Sequence, residues 1–154
     1  MPEAESPRPF LERHLQAILD GDLSVYHATT APELTLYEWY VTPHRIEGLA
    51  FHDFMMTETA RPGSAASPLD SRPSTAAAPR PERPAQRFDL ANYAEQVYGD
   101  VAICSYTLLI ARASDEGVHV RSHNETRVLL RRGETWMVVH VHKSPAWAAP
   151  YEPR

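Results

Sequence analysis

The chain has 154 residues, about the length of one domain. Its formal net charge of −5 argues against the basic surface that binds nucleic acid, so no nucleic-acid partner is expected. Cys104 is the only cysteine, which excludes an intrachain disulfide and a thiolate metal cluster and suits the cytoplasm. The longest mainly apolar run, Val101 to Ala111, is shorter than the roughly 18 residues of a membrane span, so no membrane partner is expected either.

The N-terminal quarter predicts an arm followed by two helices. Residues 1–9 are acidic, broken by proline and unlike a secretory signal, and we expect a flexible arm. From Phe10 to Leu19 the apolar residues fall on one helical stripe, which Gly21 ends. Asp22 is suited to cap a second short helix, Leu23 to Ala28.

The next segments predict a strand, a helix and an insertion. Leu34 to Tyr40 is rich in β-forming residues and follows Pro32, so it predicts a first strand. Leu49 to Met56 carries large apolar side chains that suit a buried third helix, with His52 as its one odd member. Residues 60–86 are rich in proline and alanine with almost no large apolar residue, and we interpret them as a disordered insertion.

The C-terminal half predicts an antiparallel meander followed by an extended tail, residues 145–154. Short polar or glycine-containing turns separate four β-rich segments, 87–98, 101–113, 118–132 and 135–143. Helices that precede a run of hairpins favour an α+β fold, in which the helices cover one face of a curved antiparallel sheet.

Polar residues inside the last two strands can be assigned to faces because side chains alternate along a strand. On the third strand of the meander, Glu125 and Arg127 share one side. On the fourth, one side carries Met137, Val139, Val141 and Lys143, and the other carries Trp136, Val138, His140 and His142. The two faces are therefore expected to have different tasks.

These strands carry a family resemblance. Residues 122–144 read SHNETRVLLRRGETWMVVHVHKS, which closely resembles the C-terminal association (hub) domain of calcium/calmodulin-dependent protein kinase II. Glu47-Gly48-Leu49, Phe51-His52-x-Phe54 and Ala102 to Tyr106 occur in the family's order upstream. The resemblance implies one domain over residues 10–144 with the cone-shaped fold of the nuclear transport factor 2-like (SnoaL-like) superfamily. It also implies self-association, since this domain assembles the kinases into rings of dimers, but no kinase motif precedes it here.

The resemblance further implies a pocket for a small carboxylate. The family's tyrosine, histidine and two basic residues fall on Tyr26, His52, Arg127 and Lys143, and Leu108 stands where a further family arginine is expected. Lys143 replaces an arginine and so loses the planar bidentate fork. Glu125 lies on the same strand face as Arg127, so an internal salt bridge is the alternative to ligand binding, and the two are compatible.

Two other functions remain open at this point. Relatives of the cone fold include ketosteroid isomerase-like and cyclase enzymes, and a cofactor-free enzyme of that kind would use Glu38 as its base, with Tyr26 or His52 as donor. His140 and His142 have a spacing that can hold a metal, but zinc normally takes three or four protein ligands. We therefore expect no metal and assign these histidines to packing at a subunit contact.

Overall fold

The computed structural model describes residues 5–60, 85–150 and 152–153. The predicted insertion at 60–86 lies outside the described residues except at its ends. The predicted tail is described apart from residues 151 and 154.

Among residues 5–60, three helices are present, and two of them match the sequence prediction closely. The helix α1 (Pro7–Asp20) begins inside the predicted arm and ends at Gly21, whose φ of 70° is the left-handed conformation that glycine adopts easily. The helix α2 (Leu23–Thr29) begins after Asp22, whose carboxylate accepts the backbone N–H of Val25 as predicted.

The third helix, α3 (Ala50–Ala60), is less buried than its composition predicts. His52 and Met56 are buried, but Phe54 is 62% exposed. The prediction of a buried helix is confirmed for one side only, because large apolar residues occur all around this helix and only one side of it can face the protein.

Within the part of the chain that is described, six strands form one sheet, in the order β2-β1-β6-β5-β4-β3. Their bounds are β1 Thr30–Tyr37, β2 Ile46–Glu47, β3 Gln86–Tyr98, β4 Val101–Ser114, β5 Gly117–Arg132 and β6 Thr135–Pro145. The meander from β3 to β6 is antiparallel, as predicted. The expectation of a wholly antiparallel sheet was wrong, because β1 lies parallel to β6. These two strands are far apart in the chain, so no hairpin dictates their relative direction.

The strand β1 begins four residues before the predicted start and ends before the predicted end. Pro32 lies inside it, where the pairing with β6 is irregular between Thr30 and Thr35, so the missing N–H of proline interrupts no regular ladder. At the other end the N–H of Val41 donates to the carbonyl of Glu38, and this turn stops the strand.

A bulge in β6 changes which residues face the core. His140 pairs with Val128, whereas Val138 pairs with Leu129, so Val139 is an extra residue on β6. Trp136 and Val138 are consequently fully buried, on the same side as Val141 and Lys143. The sequence prediction that placed Trp136 and Val138 beside His140 was wrong because the bulge interrupts the alternation.

The core lies between α1 and one face of the sheet, which we call the inner face. It joins apolar side chains of α1 to those of β1, β4, β5 and β6: Phe10, Leu11, Leu15, Leu34, Leu36, Ala102, Cys104, Leu108, Leu129, Trp136, Val138 and Val141. Each fully buried large side chain contributes about 1.5–3 kcal/mol. The opposite side of the strands is called the outer face. Among the described residues, no helix has the length and apolarity needed to cross a membrane.

Candidate functional site

A buried arginine is the centre of a polar network on the inner face. Arg127 of β5 is 1% exposed. Its Nε donates to the Tyr106 hydroxyl at 2.9 Å and to Glu125 Oε2 at 3.1 Å, and its Nη1 donates to His14 Nε2 at 2.9 Å. The guanidinium is therefore held by protein groups from β4, β5 and α1.

Glu125 is the counter-ion of this arginine. Oε2 also accepts the Tyr106 hydroxyl at 2.6 Å, and Oε1 lies 2.7 Å from His123 Nε2. Burial alone would raise the pKa of Glu125, but Arg127, His123 and Lys143 outweigh it and hold this pKa well below its usual value. Glu125 is therefore an anion at neutral pH, and the internal salt bridge considered for Arg127 is present.

His14 connects the arginine to the helices. Its Nδ1 lies 2.8 Å from Thr29 Oγ1, and that hydroxyl donates to the carbonyls of Val25 and Tyr26. Oγ1 must therefore accept from Nδ1–H, which leaves Nε2 as the acceptor for Arg127. Burial and then the charge of Arg127 lower the pKa of His14 well below its ordinary value, so the ring is neutral.

Tyr26 and His52 form a second pair beside this network. The Tyr26 hydroxyl lies 2.5 Å from His52 Nδ1, and the Tyr26 and His14 ring centroids are 5.6 Å apart. Burial raises the pKa of Tyr26 to about 12, and burial with the charges of Lys143 and Arg127 lowers that of His52 to about 3. Both groups are neutral at pH 7, and the hydrogen bond between them ties α2 to α3.

Lys143 of β6 completes the network. Its Nζ lies 2.5 Å from Glu38 Oε2 and 4.0 Å from Glu125 Oε1. Although burial lowers the pKa of Lys143, Glu125 and Glu38 raise it above its ordinary value. Glu38 is 1% exposed, and within the described residues its Oε1 has no hydrogen-bond partner. The two cations are thus balanced by two carboxylates.

The structure brings the predicted ligand-binding residues and the alternative base Glu38 into one region. It adds three residues that the sequence did not indicate. The additions are His14, Tyr106 and His123. His14 follows Phe10 by four residues and so lies on the apolar stripe of α1, which could have marked it. Cys104, Tyr106 and Leu108 lie on the same face of β4, and all three are buried. Because Leu108 stands where the family resemblance implies a further arginine, this position supplies no cation.

The two histidines of β6 lie on the outer face, as predicted. His140 Nδ1 is 2.8 Å from Thr35 Oγ1, and His142 is exposed. Within the described part of the chain, no three His, Cys, Asp or Glu side chains are grouped closely enough to hold a metal ion.

Comparison with known proteins connects this arrangement to a family. Residues 6–66 and 81–147 match the model of the calcium/calmodulin dependent protein kinase II association domain. The chain belongs to this association-domain family. The match spans α1 through β6 and includes every residue of the polar network.

Known relatives of the association domain agree in fold. The structure of the Chlamydomonas reinhardtii kinase II hub homology domain is 25% identical, with a TM-score of 0.72 over 91% of this chain and 95% of that one. A nuclear transport factor 2-like protein from Salmonella enterica has a TM-score of 0.61 at 18% identity over 95% and 93% of the chains. The predicted nuclear transport factor 2-like fold is thereby confirmed.

The association domain matches only part of a full kinase. The alpha chain of calcium/calmodulin-dependent protein kinase type II from Drosophila melanogaster is 24% identical over 135 residues, which cover 86% of this chain. The chain spans 22% of that kinase's length.

Replacing the buried Arg127 tests how much the polar network contributes to the free energy of unfolding. In Arg127→Met, Glu125 stays buried without its partner, and we expect a loss of about 3–5 kcal/mol in the free energy of unfolding, measured by urea denaturation. Adding Glu125→Gln removes the stranded charge and should recover part of that loss. Arg87→Met, which breaks an exposed pair with Asp89, should cost less than about 1 kcal/mol. Equal losses for Arg127→Met and Arg87→Met would contradict the network.

Acid should destabilise the protein through His52. The unfolded chain binds a proton at His52 near pH 6.5, whereas the folded chain resists it down to about pH 3, so stability falls as pH drops from 6.5 towards 3. His52→Gln cannot titrate, and its slope of unfolding free energy against pH should be shallower than that of wild type. Exposed His44, changed to Gln, is the matched control and should keep the wild-type slope. The same slope in both variants would exclude His52.

Proposed function

We propose that this chain is a self-assembling module in which copies associate through the outer face of the sheet. Membership of the association-domain family supports self-association. We assign the contact between copies to the outer face because this face is apolar and α1 packs on the inner face instead.

The outer face carries exposed β-branched residues in addition to a half-buried apolar surface. Val118 and Val120 of β5 are 69% and 60% exposed, and they pair with Ala113 and Ala111. The rest of β5 and its neighbours β4 and β6 continue the same face with half-buried Val101, Ile103, Leu109, Val128, Leu130 and Met137. Exposed apolar surface of this kind marks an interaction site, and a second copy offers an identical, self-complementary surface.

We also propose that the inner face binds a small carboxylate at Lys143 and Arg127, with Tyr26, His52 and Glu125 around it. Both cations already hold a protein carboxylate, so a ligand has to displace one of these. The Lys143 side chain is 12% exposed against 2% for that of Arg127, which favours exchange at the Lys143–Glu38 pair. The unpartnered Oε1 of Glu38 indicates that this pair is the less completely satisfied of the two.

The enzyme alternative has weaker support. Its base would be Glu38, but Lys143 holds one carboxylate oxygen and leaves only the buried Oε1 for a substrate. The Tyr26 hydroxyl is hydrogen-bonded to His52 Nδ1, so this phenol would have to leave its partner before it could stabilise an enolate. We therefore do not adopt an isomerase or cyclase function.

Assembly can be tested with a charge on the outer face. Wild type should show a mass that is a multiple of 17.4 kDa in light scattering, and Val120→Asp should shift it towards the monomer because a carboxylate would be buried in the contact. Val97 is 49% exposed but pairs with Ala102 and belongs to the inner side, so Val97→Asp is the matched control and should stay assembled. A monomeric wild type would contradict the proposal.

Carboxylate binding can be tested by thermal unfolding. Succinate should raise the melting temperature of wild type above its value in chloride at equal ionic strength, because a ligand of the native state stabilises it. The double variant Lys143→Met/Glu38→Gln replaces the exchangeable pair by neutral groups and should not respond. An equal response of wild type to succinate and chloride would rule out the site.

A further inference from the structure

Two histidines lie on the outer face where β6 meets β1. Pairing places His140 beside Thr35 and His142 beside Tyr37. His140 Nδ1 is 2.8 Å from Thr35 Oγ1, and the Tyr37 ring centroid is 5.2 Å from that of His142 and 6.4 Å from that of His140. Both imidazoles therefore have defined positions on the surface assigned above to self-association.

In the part of the chain that the structure describes, the groups from adjacent segments offer these histidines no free carboxylate. On β5, Thr126 pairs with His142 and Val128 pairs with His140, and both are uncharged. On the other side, the charge of Arg45 acts on His140. Glu47 of β2, which pairs with Thr35, is engaged by Arg45, whose Nη2 and Nε lie 2.6 and 3.2 Å from Glu47 Oε1.

The surroundings of His140 favour its neutral form. Burial, then His142 and Arg45, lower the pKa of His140. Further burial by a second copy would act in the same direction, because desolvation disfavours the charged imidazole. Protonation of either ring adds a positive charge close to Arg45, whose own charge is paired with Glu47.

We propose that His140 and His142 make self-association of this protein pH-dependent, with neutral rings packed in the contact and protonated rings driving the copies apart. This inference rests on the proposed self-assembly through the outer face. In a contact between identical surfaces each copy brings the same two histidines, so the added charges double. The dissociation constant is therefore expected to rise as the pH falls from 7.5, because imidazole gains its charge on acidification.

Sedimentation velocity over a concentration series at pH 7.5, 6.5 and 5.5 tests the inference. For wild type we expect the dissociation constant to rise at least about 10-fold between the extremes, which corresponds to about 1.4 kcal/mol. The double variant His140→Gln/His142→Gln should lose most of this rise. The double variant His44→Gln/His119→Gln removes two exposed histidines elsewhere and should keep it. Far-UV circular dichroism at each pH restricts the comparison to folded protein, since His14 and His52 destabilise the fold in acid.

A side chain that is charged at every pH tested provides an independent measurement of the effect of charge on association. His142 is exposed, so His142→Lys should fold, and it should associate weakly at pH 7.5 as wild type does at pH 5.5. A wild type that is monomeric at every pH would overturn the proposed self-assembly itself. A wild type that assembles without a pH response, or a response that survives in His140→Gln/His142→Gln, would overturn this inference alone.

Discussion

The rest of the structure depends on one constraint, which is that the charge of Arg127 lies in the interior. A buried guanidinium is tolerated only if its N–H groups find acceptors and its charge finds a counter-ion. Glu125 supplies the charge, Tyr106 supplies a hydroxyl from β4, and His14 supplies a neutral nitrogen from α1. Because His14 is itself oriented by Thr29, the same constraint fixes α1 and α2 against the sheet.

This internal pairing divides the protein into two faces with different chemistry. On the inner face, Arg127 and Lys143 are already balanced by Glu125 and Glu38, so the network primarily holds the fold, and a ligand has to compete with it. The outer face has apolar residues that include exposed Val118 and Val120. We therefore assign the proposed association and its pH dependence to the outer face, and the proposed ligand exchange to the inner face.

Local features were predictable from the sequence, and features that depend on distant partners were not. The cap at Asp22 and the shared face of Glu125 and Arg127 follow from short-range rules of helix and strand geometry. The bulge at Val139 was not predicted because it is a property of the β5–β6 pairing. The role of His14 was not predicted because its partner Arg127 lies 113 residues away in the chain. A single histidine on an apolar helix stripe does not indicate such a partner. The family resemblance singled out Tyr26 and His52, but their hydrogen bond depends on how α3 packs beside α2.

The central claim is that the inner network holds the fold and the outer face makes the assembly. The most direct test is light scattering on Arg127→Met/Glu125→Gln, under conditions in which circular dichroism shows that it is folded. The account predicts the same oligomeric mass and a similar dissociation constant to wild type, because the outer face is unchanged. A folded but monomeric double variant would contradict it, since assembly would then depend directly on the buried charges.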